Sequence, residues 1–190
     1  MKMTHNLPAS KSVKFTSGFT LIEVLMAMVI LAILTSIAIP GFSRWLPNYR
    51  LKGAARDLYS NFQVAKAGAI KERAQWAVVF DAGGNSYQIV SGGADRVHGT
   101  GGDDVIHKTV NLTNYESGVS FGAGSATAAV DGGAITAVPV NPIVFTSRGF
   151  TTSETTTFAY LTNSRNTAYA VGTWASGAVV LRKWNGSAWE

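Results

Sequence analysis

Hydrophobic and polar positions along this 190-residue chain fall into three regimes. From Phe19 to Ile39 every residue is apolar except Thr20, Glu23, Thr35 and Ser36. At about 1.5 Å per residue such a run predicts a helix of roughly 31 Å, the thickness of a bilayer's hydrocarbon core. Apolar positions then return at Leu51, Ala55, Leu58, Phe62, Ala65 and Ala69, alternately four and three apart. That spacing predicts an amphipathic helix to about Arg73, its stripe facing the protein's own sheet and Lys52, Arg56, Lys66 and Lys71 facing water. Three of the six stripe positions are alanine, which disfavours a coiled-coil seam between subunits.

Beyond Arg73 the period drops to two and β-branched and aromatic residues take over. Residues 75–81 and 86–90 around Ala82-Gly83-Gly84-Asn85 predict a β-hairpin. Further strands are expected at 105–112, 118–121, 142–150 with a tight turn at Gly149, 155–161, 168–172 and 177–184. Residues 92–104 hold five glycines with Asp95, Asp103 and Asp104, and predict a mobile loop. Their spacing is not that of a 12-residue calcium loop.

Pro40-Gly41 is expected to break or kink the apolar helix, since proline lacks the helical N–H and clashes with the preceding turn. Ser36, four residues earlier, could help satisfy the local backbone, and Pro47 repeats the interruption. The chain therefore divides into a leader (1–18), a membrane helix (19–39), a stem helix (40–73) and a β-rich globular domain (74–190). The fold class is α+β, a long N-terminal helix packed in its second half on antiparallel sheet.

One carboxylate, Glu23, interrupts the apolar run, at a cost on the order of 3 kcal/mol for an ionised acid in a membrane helix. A basic leader with Lys11 and Lys14, then Gly18-Phe19-Thr20-Leu21-Ile22-Glu23-Val24, then an apolar helix, resembles the processing signal of type IV pilins and type II secretion pseudopilins. The resemblance implies cleavage between Gly18 and Phe19 by a prepilin peptidase, methylation of the new amine on Phe19, and an assembly role for Glu23. It gives Glu23 a neighbouring subunit's Phe19 amine as its partner. An ordinary anchor would leave the Gly-Phe junction and the acid unexplained. A secretory signal peptide cut after Ser36-Ile37-Ala38 would need an unusually long apolar region.

The order of elements, with Ile143-Val-Phe-Thr-Ser-Arg-Gly149 and Gly177-Ala-Val-Val-Leu-Arg182, resembles the minor-pseudopilin branch called GspH/FimT. That implies a subunit at or near the tip of a type II secretion pseudopilus. Its partners would be other pilin-like subunits, the peptidase and inner-membrane lipid, with the globular domain in the periplasm. The alternative is a type IV pilus minor pilin that initiates assembly or takes up DNA.

Composition narrows the chemistry. There is no cysteine, hence no disulfide framework and no thiolate metal site. No phosphate-binding glycine loop or nucleophile elbow is present, and His98 and His107 lack metal-ligand spacing. No enzymatic activity, cofactor or metal is expected. The net charge of +5 is concentrated between Arg44 and Arg73, where seven basic residues face two acidic ones. The positive-inside rule would place those cations on the cytoplasmic side, in conflict with the pilin orientation. For DNA, the candidate contacts are Arg148, Arg165, Arg182 and Lys183, with Trp184 and Trp189 as stacking surfaces. The tail lacks a Gly-Arg-x-Arg cluster, and an Arg-Lys pair at a strand end commonly guards a sheet edge, so nucleic acid is not the expected partner.

Overall fold

The computed structural model describes residues 18–139, 142–153 and 156–190, without the side chain of Pro40. Of the leader expected at residues 1–18, residues 1–17 lie outside the described residues. Two compact units, Met1–Gly41 and Phe42–Glu190, divide the chain.

Helix α1 spans Leu21–Glu72, 52 residues without interruption. The break expected at Pro40-Gly41 is therefore absent as a gap in helical structure, and Pro47 does not interrupt it either. Proline removes one helical hydrogen bond, whereas ending the helix among apolar residues would strand several backbone groups. The hydroxyls nearby fold back on the helix. Ser36 Oγ donates to Ile33 O at 2.7 Å and Thr35 Oγ1 to Ala32 O at 3.2 Å. At the far end Arg73 takes a left-handed conformation (φ 51°), and Ala74 N–H donates to Ala69 O at 3.3 Å. That six-to-one closure is a Schellman stop, here with arginine in the position glycine usually fills.

Eight strands follow: β1 (Trp76–Asp81), β2 (Ser86–Ser91), β3 (Val105–Asn111), β4 (Ser120–Phe121), β5 (Ile143–Phe145), β6 (Thr157–Thr162), β7 (Ala168–Thr173) and β8 (Val179–Lys183). They form two antiparallel four-stranded sheets, ordered β3-β2-β1-β5 and β4-β6-β7-β8. The turn residue Asn85 ties the sheets together. Its Oδ1 accepts from Phe121 N–H at 3.0 Å and its Nδ2 donates to Val119 O at 3.2 Å.

All six positions of the expected stripe are fully buried, and Ala54 joins them. They share one core with Val78, Ile89, Ile143 and Phe145 of the first sheet and Ala159, Leu161 and Val171 of the second. Phe62 sits at its centre, edge-on to Phe145 with ring centroids 6.3 Å apart. Gly68 lets the helix approach Trp76, because a Cβ there would fall 2.7 Å from the indole. A smaller cluster of Ala129, Phe158, Tyr160 and Ala170 covers the opposite face of the second sheet.

The loop at 92–104, expected to be mobile, is closed by its own acids. Asp103 Oδ2 accepts from Asp95 N–H at 3.0 Å, Asp104 Oδ2 from Gly99 N–H at 2.9 Å, and Asp95 Oδ2 from Thr100 Oγ1 at 2.6 Å. The Thr100 hydroxyl and the Val97 N–H, which donates to Asp95 Oδ1 at 2.8 Å, hold the exposed Asp95 carboxyl below the usual carboxylate range. His98 Nδ1 lies 3.0 Å from Asp104 Oδ2, and His107 stacks on Trp76 at 4.2 Å, so both histidines have structural neighbours. Among the described residues, no group of three metal-ligating side chains converges.

A polar chain runs from exposed Lys108 to buried Asn61 and Tyr87. Lys108 Nζ donates to Asn61 Oδ1 at 3.0 Å, and Asn61 Nδ2 donates to Tyr87 Oη at 2.7 Å. Burial pushes the Tyr87 hydroxyl well above its ordinary value, against the Asn61 donor and helped by nearby Asp57. Tyr115, which donates to Asp57, is raised by burial and by that same carboxylate. The folded state thus holds these protons more tightly than the unfolded chain, where tyrosine titrates near pH 10. Stability should be complete below that pH and fall as pH rises above it, by up to about 1.4 kcal/mol per pH unit for Tyr87 and by less for the more exposed Tyr115. Urea unfolding of residues 44–190 between pH 8 and 11.5 should show this loss, with a shallower slope for Tyr87→Phe. Equal slopes would refute the assignment.

Candidate functional site

Two features of the chain carry functional geometry, and each is built within one unit. The first is the start of α1. Thr20 is the last residue before the helix, and its Oγ1 accepts from Glu23 N–H at 3.3 Å while its carbonyl accepts from Glu23 N–H at 3.1 Å and Val24 N–H at 3.2 Å. Thr-x-x-Glu at a helix start is the pattern of a capping box, and a carboxylate in the first turn is favoured by the helix dipole. Glu23 is exposed, and among the described residues no cation pairs with it. Gly18 and Phe19 lie just before the helix, both exposed, with Phe19 82% accessible.

From Leu21 to Ile39 the helix is apolar enough to cross a membrane, with a mean hydropathy of 2.6, and none of the described residues covers it. Leaving a large apolar side chain in water costs about 1.5–3 kcal/mol relative to burying it. Leu21, Leu25, Ile30, Leu31, Ile33 and Leu34 alone, each more than half exposed, make an aqueous state untenable. The helix therefore requires lipid or other helices around it.

The second feature is a groove at the start of the stem. The side chains of Trp45, Tyr49 and Lys52 lie on one helical face, four and three residues apart, and form one wall. Arg165, from the turn between β6 and β7, and Tyr169 and Lys183, paired across β7 and β8, form the other. The cleft is about 770 Å³. Asn48 joins the walls, its Oδ1 accepting from Asn163 Nδ2 at 3.0 Å and Thr167 Oγ1 at 2.8 Å. Buried Asn163 in turn accepts from the backbone N–H groups of Arg165 and Thr167 at 3.0 and 3.2 Å, which sets the turn. Burial pushes the Tyr169 hydroxyl up, and the Arg56 cation partly opposes this.

The four basic residues nominated for DNA do not converge. Arg165 and Lys183 line the groove. Arg182 belongs to the other face of its strand, with Val180, which packs on the second cluster, while Leu181 packs on the main core. Arg148 sits in the turn at Gly149 (φ 78°), whose backbone approaches Lys66 and Ile70 near the opposite end of the stem. Asn48 and Lys66 are 18 residues apart on one helix, about 27 Å. The two tryptophans are also engaged. Trp184 is buried and meets Trp189 edge-on at 5.3 Å, and Trp189 Nε1 donates to Ala128 O at 2.7 Å.

Two family models match this chain. One, the prokaryotic N-terminal methylation motif, covers residues 14–39; the other, type II transport protein GspH, covers residues 54–177. The chain belongs to the GspH family. No solved structure and no curated protein matches it. The methylation motif ends at Ile39, where the apolar span ends, and the GspH match begins inside the buried stripe of the stem. Family membership thus rests on both units, the uncovered helix and the two-sheet domain.

Sequence reasoning missed the Thr20 cap, although Thr-x-x-Glu ahead of an apolar run is itself a recognisable signal. It also missed the groove. Trp45, Tyr49 and Lys52 share a face at spacings readable in the sequence, but no local pattern brings Arg165 and Lys183 to them.

Because the basic residues are divided between faces and ends of the domain, residues 44–190 of this GspH-family protein should bind duplex DNA only weakly. Arg182→Ala combined with Lys183→Ala should change that binding little. A gel shift at physiological ionic strength showing tight, salt-sensitive binding abolished by the pair would overturn this expectation.

Proposed function

We propose that this protein is a minor pseudopilin of a type II secretion system, cut between Gly18 and Phe19, methylated on Phe19 and built into the pseudopilus at or near its tip. Before assembly it spans the bacterial inner membrane once, with the domain after Ile39 in the periplasm. The observation that carries the reading is the contrast between the two halves of one helix. The stem half buries its whole apolar stripe inside its own domain, while residues 21–39 bury nothing. A helix that is apolar all round, continuous with a folded domain, suits transfer from lipid into a bundle of like helices. In both settings its surroundings are apolar, so the transfer needs no exposure to water. The role is structural, and no catalytic group is assigned to it.

Processing supplies the first test. Intact-mass analysis of protein purified from its own cells should give residues 19–190 with one added methyl. A bulky residue in place of Gly18 should leave the precursor uncut, and a mature chain beginning at Ile39 would exclude the pseudopilin reading.

Glu23 supplies the second. In the assembly reading its carboxylate neutralises the Phe19 amine of a neighbouring subunit, turning two costly charges into one hydrogen-bonded pair and fixing axial register. Glu23→Leu should then insert and be cleaved normally while crosslinking to partner subunits, and secretion or pilus assembly, fall sharply. Glu23→Gln should do the same, since it keeps the shape but loses the charge. Full crosslinking and activity in both variants would remove Glu23 from assembly.

A further inference from the structure

We propose that the groove between the stem helix and the β6–β7 turn is a binding site for the headgroup of an anionic phospholipid, occupied while the protein resides in the membrane. This rests on the membrane-anchored reading above, though not on the filament in which the protein ends.

Three cations line the groove: Lys52, Arg165 and Lys183. All are exposed, and among the described residues none is engaged in an ion pair. By contrast Arg50, two residues from Lys52, is committed to Glu116 at 2.6 Å and Ser117 at 2.9 Å. The groove walls are set by the Asn48–Asn163–Thr167 hydrogen bonds, so the cations converge without a ligand to draw them together. A phosphodiester offers the complementary charge and acceptor oxygens.

The position selects the source of that phosphate. Trp45 follows Ile39, the last residue of the apolar span, by six positions. Six residues reach at most about 22 Å even fully extended. Whatever the angle between the two units, the chain tethers the Trp45 wall of the groove within that distance of the span's end. Phe42, Trp45 and Tyr49 form an exposed ladder there, with centroids 6.2 Å apart for the first pair and 4.7 Å for the second. Aromatic residues flanking an apolar span are the mark of the membrane–water interface, and basic groups beside them attract anionic lipid. A nucleic acid would instead need cations tracking successive phosphates, and Arg148 and Arg182 lie away from this groove. The same assignment gives part of the excess basic charge after the span a ligand, whichever leaflet it faces.

The test uses the full chain in detergent, titrated with phosphatidylglycerol, phosphatidylcholine, inorganic phosphate or a 20-nucleotide single strand, and read by native mass spectrometry. Wild type should retain one phosphatidylglycerol at least tenfold more tightly than phosphatidylcholine, with inorganic phosphate bound far more weakly than the lipid. At about fivefold per cation, Lys52→Gln, Arg165→Gln and Lys183→Gln together should weaken that retention about a hundredfold. Arg148→Gln with Arg182→Gln, which removes charge outside the groove, should leave it unchanged, and circular dichroism should match wild type in both sets. Equal retention of the two lipids would overturn the proposal, as would loss in both variants or inorganic phosphate binding as tightly as the lipid. Tight oligonucleotide binding lost only in the triple variant would overturn it in favour of nucleic acid. Failure here leaves processing at Gly18 and crosslinking through Glu23 intact, so the two readings are judged separately.

Discussion

The structure depends on a single helix that must satisfy two solvents. Over Leu51–Ala69 the apolar stripe of α1 is sealed by two sheets, and Phe62, Leu58 and Leu51 have no accessible surface left. Over Leu21–Ile39 the same helix is covered by none of the described residues. Neither half makes sense without the other. The sealed half gives the domain a core and fixes the helix to it, so whatever holds the bare half also holds the domain.

The sealing is achieved with small residues where the backbone comes close and large ones where the sheets part. Ala54, Ala55, Ala65 and Ala69 are buried on the stem, and Gly68 admits the Trp76 ring. Phe62 fills the wider space toward Phe145. The two sheets are then held in register with each other through Asn85, whose amide bonds residues on either side of the start of β4. With no cysteine in the chain, this packing and the buried Asn61–Tyr87 pair hold the domain together without cross-links.

Local patterns were legible in the sequence wherever one element's residues determine its structure. The alternation of four and three marked six buried positions of the stem but not Ala54, and the period-two segments marked the hairpin and the remaining strands to within a few residues. What could not be read was any feature decided by contacts between distant segments. The division into two sheets depends on which strands pair, not on their period. The groove needs residues 45–52, 165–169 and 183 together. One local rule also misled in part. Pro40-Gly41 is expected to break or kink the helix, and no break occurs, because the cost of one lost hydrogen bond is smaller than that of opening a helix in apolar surroundings. The glycines of residues 92–104 predict a loop, and the aspartates among them supply acceptors that the backbone N–H groups use.

The start of α1 shows how magnitudes separate local from intermolecular explanations. Thr20 and Glu23 together fit a capping arrangement, and a cap with a first-turn carboxylate contributes about 1–2 kcal/mol in water. An ionised acid in a membrane helix costs on the order of 3 kcal/mol near the centre and less near the end, where Glu23 lies. The two terms are close enough that the cap can offset much of the carboxylate's cost before assembly. That explains how such a residue is tolerated, and it bears on its partner. If a cleaved Phe19 amine of another subunit then approaches, the attraction adds to an offset already present, and does not have to overcome the full desolvation of both charges. If Glu23 pairs with another subunit as proposed, the helix start has already met part of the carboxylate's cost before that partner arrives.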